Sequence, residues 1–270
     1  MMRFFISVSY NGSNYNGWQK QKNGASVQQH LEYAFSVYLK EEVGIVGAGR
    51  TDTGVHAMEY IAHFDSANLE LSKERQMIIY KINAILPTDI VFHDICQVHE
   101  NAHSRFDAME RSYKYFIHTF KDPFAGMFSY FTPKFLDISA MNKAAEYLIG
   151  NKDFTSMAKL HSPTKTNICN VKNAFWSLGS PISQEISNNS FKTNGNHYVF
   201  EITANRFLRN MVRAITGTLL EIGQGKHDPE WILEVLEKKE RGAAGSSVPA
   251  HALFLTKIEY PYQIFTHKNI

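Results

Sequence analysis

Apolar and polar residues follow one another along this chain in two rhythms, and the switches between them set out the predicted elements. Residues 3–10, Arg3-Phe4-Phe5-Ile6-Ser7-Val8-Ser9-Tyr10, read as a first strand, followed by a polar loop. Ser26-Val27-Gln28-Gln29 has the form of a capping box, and Val27, Leu31, Ala34, Phe35 and Tyr38 then recur at helical spacing. Period two returns from Val55 to Phe64. A second helix is predicted to open at Ser72 and stop before Pro87, and residues 89–98 read as a strand.

The polar run His99-Glu100-Asn101-Ala102-His103 is the predicted crossover, dividing the chain into halves 1–103 and 104–270. In the second half, residues 110–120, 172–178, 197–204 and 253–260 read as strands. Helices are predicted over Ser139 to Ile149, with Gly150 at the C-cap, over Asn205 to Ile222, and over Asp228 to Lys239. The last has Asp228 at the N-cap and Pro229 at the first helical position. Two halves, each mixing strands with about two helices, make an α+β protein.

Length and composition fit this picture. A chain of 270 residues that is 44% hydrophobic can bury two ordinary cores. No run approaches the roughly 18 apolar residues that span a membrane. The opening segment turns polar too early for a signal peptide. Two cysteines far apart, Cys96 and Cys169, suit reduced thiols and a cytoplasmic setting. A net charge of +2 is too small to speak for nucleic acid by itself, so binding to RNA would need basic residues gathered on one face.

Three stretches carry candidate chemistry. In Gly49-Arg50-Thr51-Asp52-Thr53-Gly54-Val55-His56-Ala57-Met58, glycines at 49 and 54 suggest a loop whose shape matters, with an Arg two residues from a carboxylate. Such an Arg can orient a nucleophilic Asp, and it can equally form an ordinary surface ion pair. In Arg111-Ser112-Tyr113-Lys114-Tyr115-Phe116-Ile117, strand spacing puts Tyr113, Tyr115 and Ile117 on one face, where an aromatic ring stacks on a displaced base or packs in a core. On the predicted helix from Asn205, Arg206, Arg209 and Arg213 fall within about 60° of one another, opposite Leu208, Met211, Val212, Ile215, Leu219 and Ile222. This predicts a cationic ridge, for phosphates or simply for water. The twelve histidines predict no metal site: His56 and His63 lie seven apart, hence on opposite faces of a strand.

The ten-residue loop resembles the GRTDxGVHA motif of the TruA family of tRNA pseudouridine synthases. Arg111-Ser112-Tyr113-Lys114-Tyr115 resembles the family's R-x-Y-x-Y, and Phe207 to Gly217 resembles its F-x-x-x-M-V-R-x-I-x-G. Tyr10-Asn11-Gly12-Ser13, Gly17-Trp18-Gln19, Asn83 to Ile90, Asp153 to Ser156 and Leu253-Phe254-Leu255 also fit, in order and over nearly the whole chain. Met157, Cys169 and Ala252 depart from the family's usual aromatic, Arg and Gly.

The resemblance implies two ferredoxin-like or RRM-like halves sharing a mixed, mainly antiparallel sheet, with helices on one side, an RNA-binding cleft between the halves, and a homodimer. It implies Asp52 as catalytic nucleophile, Arg213 as its ionic partner beside Arg50, Tyr113 and Leu253 on either side of the target base, and Arg206 and Arg209 on phosphates. It implies isomerisation of uridine 38, 39 and 40 in the anticodon arm of tRNA, with no cofactor and no metal. Asp52 would attack uracil C6 or ribose C1′, or remove a ribose proton. Other readings are a catalytically idle RNA-binding or chaperone module, a paralogue with a shifted uridine target, and an unrelated hydrolase pairing Asp52 with a histidine.

Overall fold

The computed structural model describes residues 1–68, 71, 74–159, 165–179 and 196–265, and these form two compact units. The first comprises Met1–Arg111 together with the chain from Leu255 onward, and the second comprises Ser112–Phe254. The division falls eight residues beyond the expected 103/104 crossover, and the chain crosses back once more, because the closing strand is built into the first unit. Among the described residues there are ten strands and five α-helices, with strand pairing mostly antiparallel.

The first unit holds β1 (Met2–Tyr10), α1 (Val27–Leu39), β2 (Val46–Gly47), β3 (His56–Ser66), α2 (Arg75–Ile85) and β4 (Ile90–Val98). Its strands run in the order β4-β1-β3, and the returning β10 (Leu253–Glu259) follows β3. β1 pairs antiparallel with both neighbours, with Phe4 opposite Phe64 and Ile6 opposite Ile95. The alternation read from the sequence is what this pairing requires, since Phe4, Ile6 and Val8 all point into the core. Helix α1 starts where the capping box placed it: the Ser26 hydroxyl accepts from the Gln29 amide at 3.3 Å. A cap of this kind is worth about 1 kcal/mol. Val27, Leu31, Ala34 and Phe35 are buried, and the Phe35 ring meets Phe64 and Phe92 at 5.0 and 5.3 Å. Ser72, the expected start of α2, lies outside the described residues; the helix takes Glu74 as its N-cap.

The second unit holds β5 (Glu110–His118) from Ser112 onward, β6 (Tyr130–Phe131), α3 (Ile138–Glu146), β7 (Gly150–Asp153), β8 (Ile168–Leu178), β9 (His197–Ala204), α4 (Met211–Gly223) and α5 (Trp231–Lys238). The strand order is β5-β9-β8-β7, with β6 parallel on β5. Trp176 and Phe200 face each other across β8 and β9 and stack at 5.0 Å. Asp137, two residues before the expected start at Ser139, caps α3 by accepting from the Ala140 amide at 2.9 Å. Helix α5 takes Glu230 as its N-cap, two residues after the expected Asp228, whose carbonyl accepts from the Trp231 amide.

Helix α4 departs most from expectation. It begins at Met211, so Arg206 and Arg209 precede it and share no helical face with Arg213. Asn210 explains the break: it holds φ +68°, left-handed backbone that ends any helix arriving from Asn205. Its side-chain amide donates to the Ser247 hydroxyl at 2.7 Å. The predicted one-sided ridge is therefore absent. From Met211 to Gly223 only Arg213 and Glu221 fall short of full burial, which makes α4 a core helix.

Candidate active site

In the first unit, the loop from Ala48 to His56 joins β2 to β3 and carries Arg50 and Asp52. Arg50 is exposed and Asp52 half-buried. Residues around them fix the backbone at close intervals. Arg111 donates to the Ala48 carbonyl at 3.2 Å and to those of Arg105 and Ala108 at 2.7 and 2.8 Å. The Tyr60 phenol donates to the Gly49 carbonyl and accepts from the Gly49 amide. The Thr51 carbonyl accepts from the Trp18 amide at 3.3 Å, while its hydroxyl meets the Tyr10 phenol at 2.8 Å.

Beyond Asp52 the chain turns at once, with the Val55 amide donating to the Asp52 carbonyl at 3.1 Å. Gly54 sits at φ +78°, which is the freedom the sequence suggested; Gly49 keeps an ordinary φ and has open space where a Cβ would be. The opening loop lies directly on this turn: a Cβ on Gly17, itself at φ +86°, would stand 2.4 Å from the Thr51 carbonyl oxygen. His56 is buried and its Nδ1 accepts from the Gly12 amide at 3.0 Å. That bond fixes the imidazole as a structural strut of the loop.

The second unit carries the remaining candidates. Tyr113 on β5 is half-buried and meets the edge of Phe207 at 5.1 Å, beside Arg206. Tyr115 and Ile117, on the same face, are fully buried, and Phe116 on the other face packs edge-on to Phe254. Arg213 donates from Nε to the Val248 carbonyl at 2.7 Å, and the Val248 amide returns a bond to the Arg213 carbonyl. The Tyr115 phenol donates to the neighbouring Pro249 carbonyl at 3.0 Å; burial pushes its pKa up and keeps it a donor. Arg213 and Tyr115 thus hold the strand of chain that leads into Leu253, which is buried at the start of β10.

The same approach is held from behind. Arg241 reaches the carbonyls of Ala244 and Gly245 and the Ser247 hydroxyl. A Cβ on Gly217 would stand 1.8 Å from the Ser246 carbonyl oxygen, so only glycine lets α4 lie against this segment. Arg209 is exposed and its carbonyl accepts from the Lys159 amide. Arg206 is half-buried and its charge is felt by Cys169.

Each unit therefore gathers its own set. Arg50 and Asp52 share one pinned turn; Tyr113, Arg213 and the approach to Leu253 are tied together by Phe207, Val248, Tyr115 and Pro249. Sequence reading missed Tyr60 and Arg241, and took Tyr10 only as the end of the first strand and part of a matching motif. Tyr60 stands in the inward row of β3, where a phenol instead of Phe was the available signal. Cys96 and Cys169 are free thiols whose burial pushes each up to about 11. Among the described residues, no three His, Cys, Asp or Glu side chains gather to hold a metal ion, and no helix is long and apolar enough to cross a membrane.

A family model described as tRNA pseudouridine synthase matches residues 6–107 and 144–261. The matched residues include Arg50, Asp52, Arg206, Arg209, Arg213 and Leu253, and stop short of Tyr113. Among curated proteins, the chain is similar to one named tRNA pseudouridine synthase A from Parabacteroides distasonis, at 47% identity over 265 residues covering 98% of each chain. It is 44% identical over 269 residues to one of the same name from Bacteroides thetaiotaomicron, covering all of this chain and 94% of the relative. A third, from Francisella tularensis subsp. novicida, is 36% identical over 274 aligned positions, covering 100% and 98%.

Proposed function

The chain belongs to the tRNA pseudouridine synthase family, and on that premise we propose that it isomerises uridine to pseudouridine at positions 38, 39 and 40 of the tRNA anticodon arm with Asp52 as nucleophile. The enzyme is an isomerase: the ribose C1′ to uracil N1 bond breaks, the base turns, C1′ joins C5, the C5 proton leaves to water, and N1 takes up a proton in its place. Atoms and electrons balance within the nucleotide, so the reaction draws on no group donor and no redox partner. Its demands are a nucleophile placed against the sugar or base and a site that retains the detached uracil.

The observation that carries this reading is Asp52 on a turn pinned at Gly49, Thr51 and His56 within a chain matched along its length to this family. A fixed carboxylate is what nucleophilic catalysis needs, because misplacement by about 1 Å costs on the order of a hundredfold in rate. Arg50 and Arg213 are assigned to the stabilisation and orientation of the Asp52 charge. Tyr113 and Leu253 are assigned to the everted base, with ring stacking worth about 1–3 kcal/mol per base. Arg206 and Arg209 are assigned to backbone phosphates, which makes binding weaken with salt. The resemblance also supports a homodimer acting in the cytoplasm.

The test is tritium release from unmodified tRNA labelled at uracil C5, with the products mapped by mass spectrometry. Wild-type protein should release label and place pseudouridine at 38, 39 and 40. Asp52→Asn should lower the single-turnover rate more than about a thousandfold while still binding tRNA, as removal of a covalent nucleophile does. An active Asp52→Asn protein removes the nucleophile assignment, and label released from other positions removes the proposed target.

A further inference from the structure

We propose that Tyr60, assisted by Tyr10, is a positioning residue for Asp52: its phenol holds the loop so that the carboxylate is set before tRNA arrives. The inference rests on the nucleophilic role assigned above. Tyr60 is fully buried in β3, with its ring stacked on Trp18 at 3.9 Å and 24°. Packing alone would be met by Phe. The hydroxyl is spent on the backbone three residues before Asp52, where it donates to the Gly49 carbonyl and accepts from the Gly49 amide at 3.4 Å.

Tyr10 completes the hold from β1. It is 4% exposed, its ring lies 5.7 Å from Tyr60 and 6.2 Å from Trp18, and its hydroxyl meets Thr51 Oγ1 at 2.8 Å. The two phenols and the Trp18 amide therefore fix both residues that flank Arg50. The Asp52 carbonyl is fixed in turn by the Val55 amide. The peptide that joins Thr51 to Asp52 is itself held through the Thr51 carbonyl, so any loss of the Gly49 or Thr51 anchors is transmitted to Asp52 directly. Gly47 shows how closely the arrangement fits: a Cβ there would stand 2.2 Å from the Tyr60 phenol oxygen and 2.4 Å from the Trp18 indole nitrogen. Gly47→Ala therefore displaces the same phenol without altering it.

The experiment measures single-turnover tritium release, tRNA dissociation constant and thermal midpoint for the wild type, Tyr60→Phe, Tyr10→Phe and Gly47→Ala. Asn83→Ala serves as a reference, because its amide joins α2 to the Phe92 backbone at 2.7 and 2.8 Å, away from the loop. At a temperature well below every midpoint, Tyr60→Phe should lower the rate about ten- to a hundredfold with tRNA affinity within about twofold. Asn83→Ala should lower the midpoint and leave the rate in place. Where Tyr60→Phe folds poorly, Tyr10→Phe and Gly47→Ala carry the same expectation.

Full wild-type rate in all three loop variants overturns the inference, as does a rate loss in Asn83→Ala that matches theirs. A wild-type protein that releases no label removes the nucleophile reading and this inference with it. Wild-type release retained in the three variants removes this inference alone.

Discussion

His63 shows how one residue can bind a unit together across distant parts of the chain. It is buried on β3, its Nδ1 accepts from the Ser104 amide at 3.2 Å and meets the Ser104 hydroxyl, and that hydroxyl donates onward to the Val46 carbonyl. Burial, with the charges of Arg3 and His103 adding to it, pulls its pKa down to about 4. A group whose pKa is lower when folded contributes stability above its unfolded value and loses it as the pH falls toward the folded one. The window here runs from about 6.5, the ordinary imidazole value, down to about 4. His103, His118 and His197 are shifted the same way, chiefly by burial. The thermal midpoint should therefore fall through this window, and His63→Asn should flatten part of the fall. A midpoint independent of pH between 6.5 and 4 contradicts the assignment. None of this was legible in the sequence, where His63 was one of twelve histidines and its partner Ser104 lay 41 positions away.

At the scale of the element, local signals were readable and long-range ones were not. The start of α1 was written in adjacent residues, because Ser26 and the stripe from Val27 to Phe35 obey local geometry. The start of α4 was not. Arg206, Arg209 and Arg213 imitate a helical period, yet Asn210 adopts left-handed backbone and reaches Ser247, 37 residues on. β2, β6 and β7 were missed because each has two to four residues, too few to show a period. The loop that carries Arg50 and Asp52 stood out through its own letters, whereas the phenols that hold it come from strands whose Tyr residues look like ordinary core. Gly217 tests how α4 supports the approach to Leu253. Alanine there would put a methyl 1.8 Å from the Ser246 carbonyl oxygen, and backbone must move. Gly217→Ala should cost on the order of 1–3 kcal/mol in denaturant unfolding and lower activity as well. An unchanged unfolding midpoint would show that the segment yields at no cost.

For the whole molecule, the α+β class and the presence of two halves were legible from the alternation of strand and helix periods. The return of the last strand was not, since nothing in Leu253 to Tyr260 states which earlier strand it will join. That strand is tied into the first unit by the Met109 amide donating to the Glu259 carbonyl at 2.8 Å and the Tyr260 phenol donating to the Ser104 carbonyl. Phe5 packs edge-on to Tyr260 at 5.2 Å, and Val98 bridges to Phe265. A chain ended after Phe254 should lose amide-exchange protection in β1 and β3 while residues of β8 and β9 keep theirs. Equal protection throughout would mean the first unit stands without its final strand.

The same return sets an order of events during synthesis. The stretch from Ser112 to Phe254 is continuous and can close on itself while the ribosome is still adding residues. The earlier stretch, although it emerges first, must wait with the flank of β3 uncovered until the tail leaves the exit tunnel. The half that carries Asp52 is thus the last to be finished, and a truncated message leaves β3 without its neighbour β10.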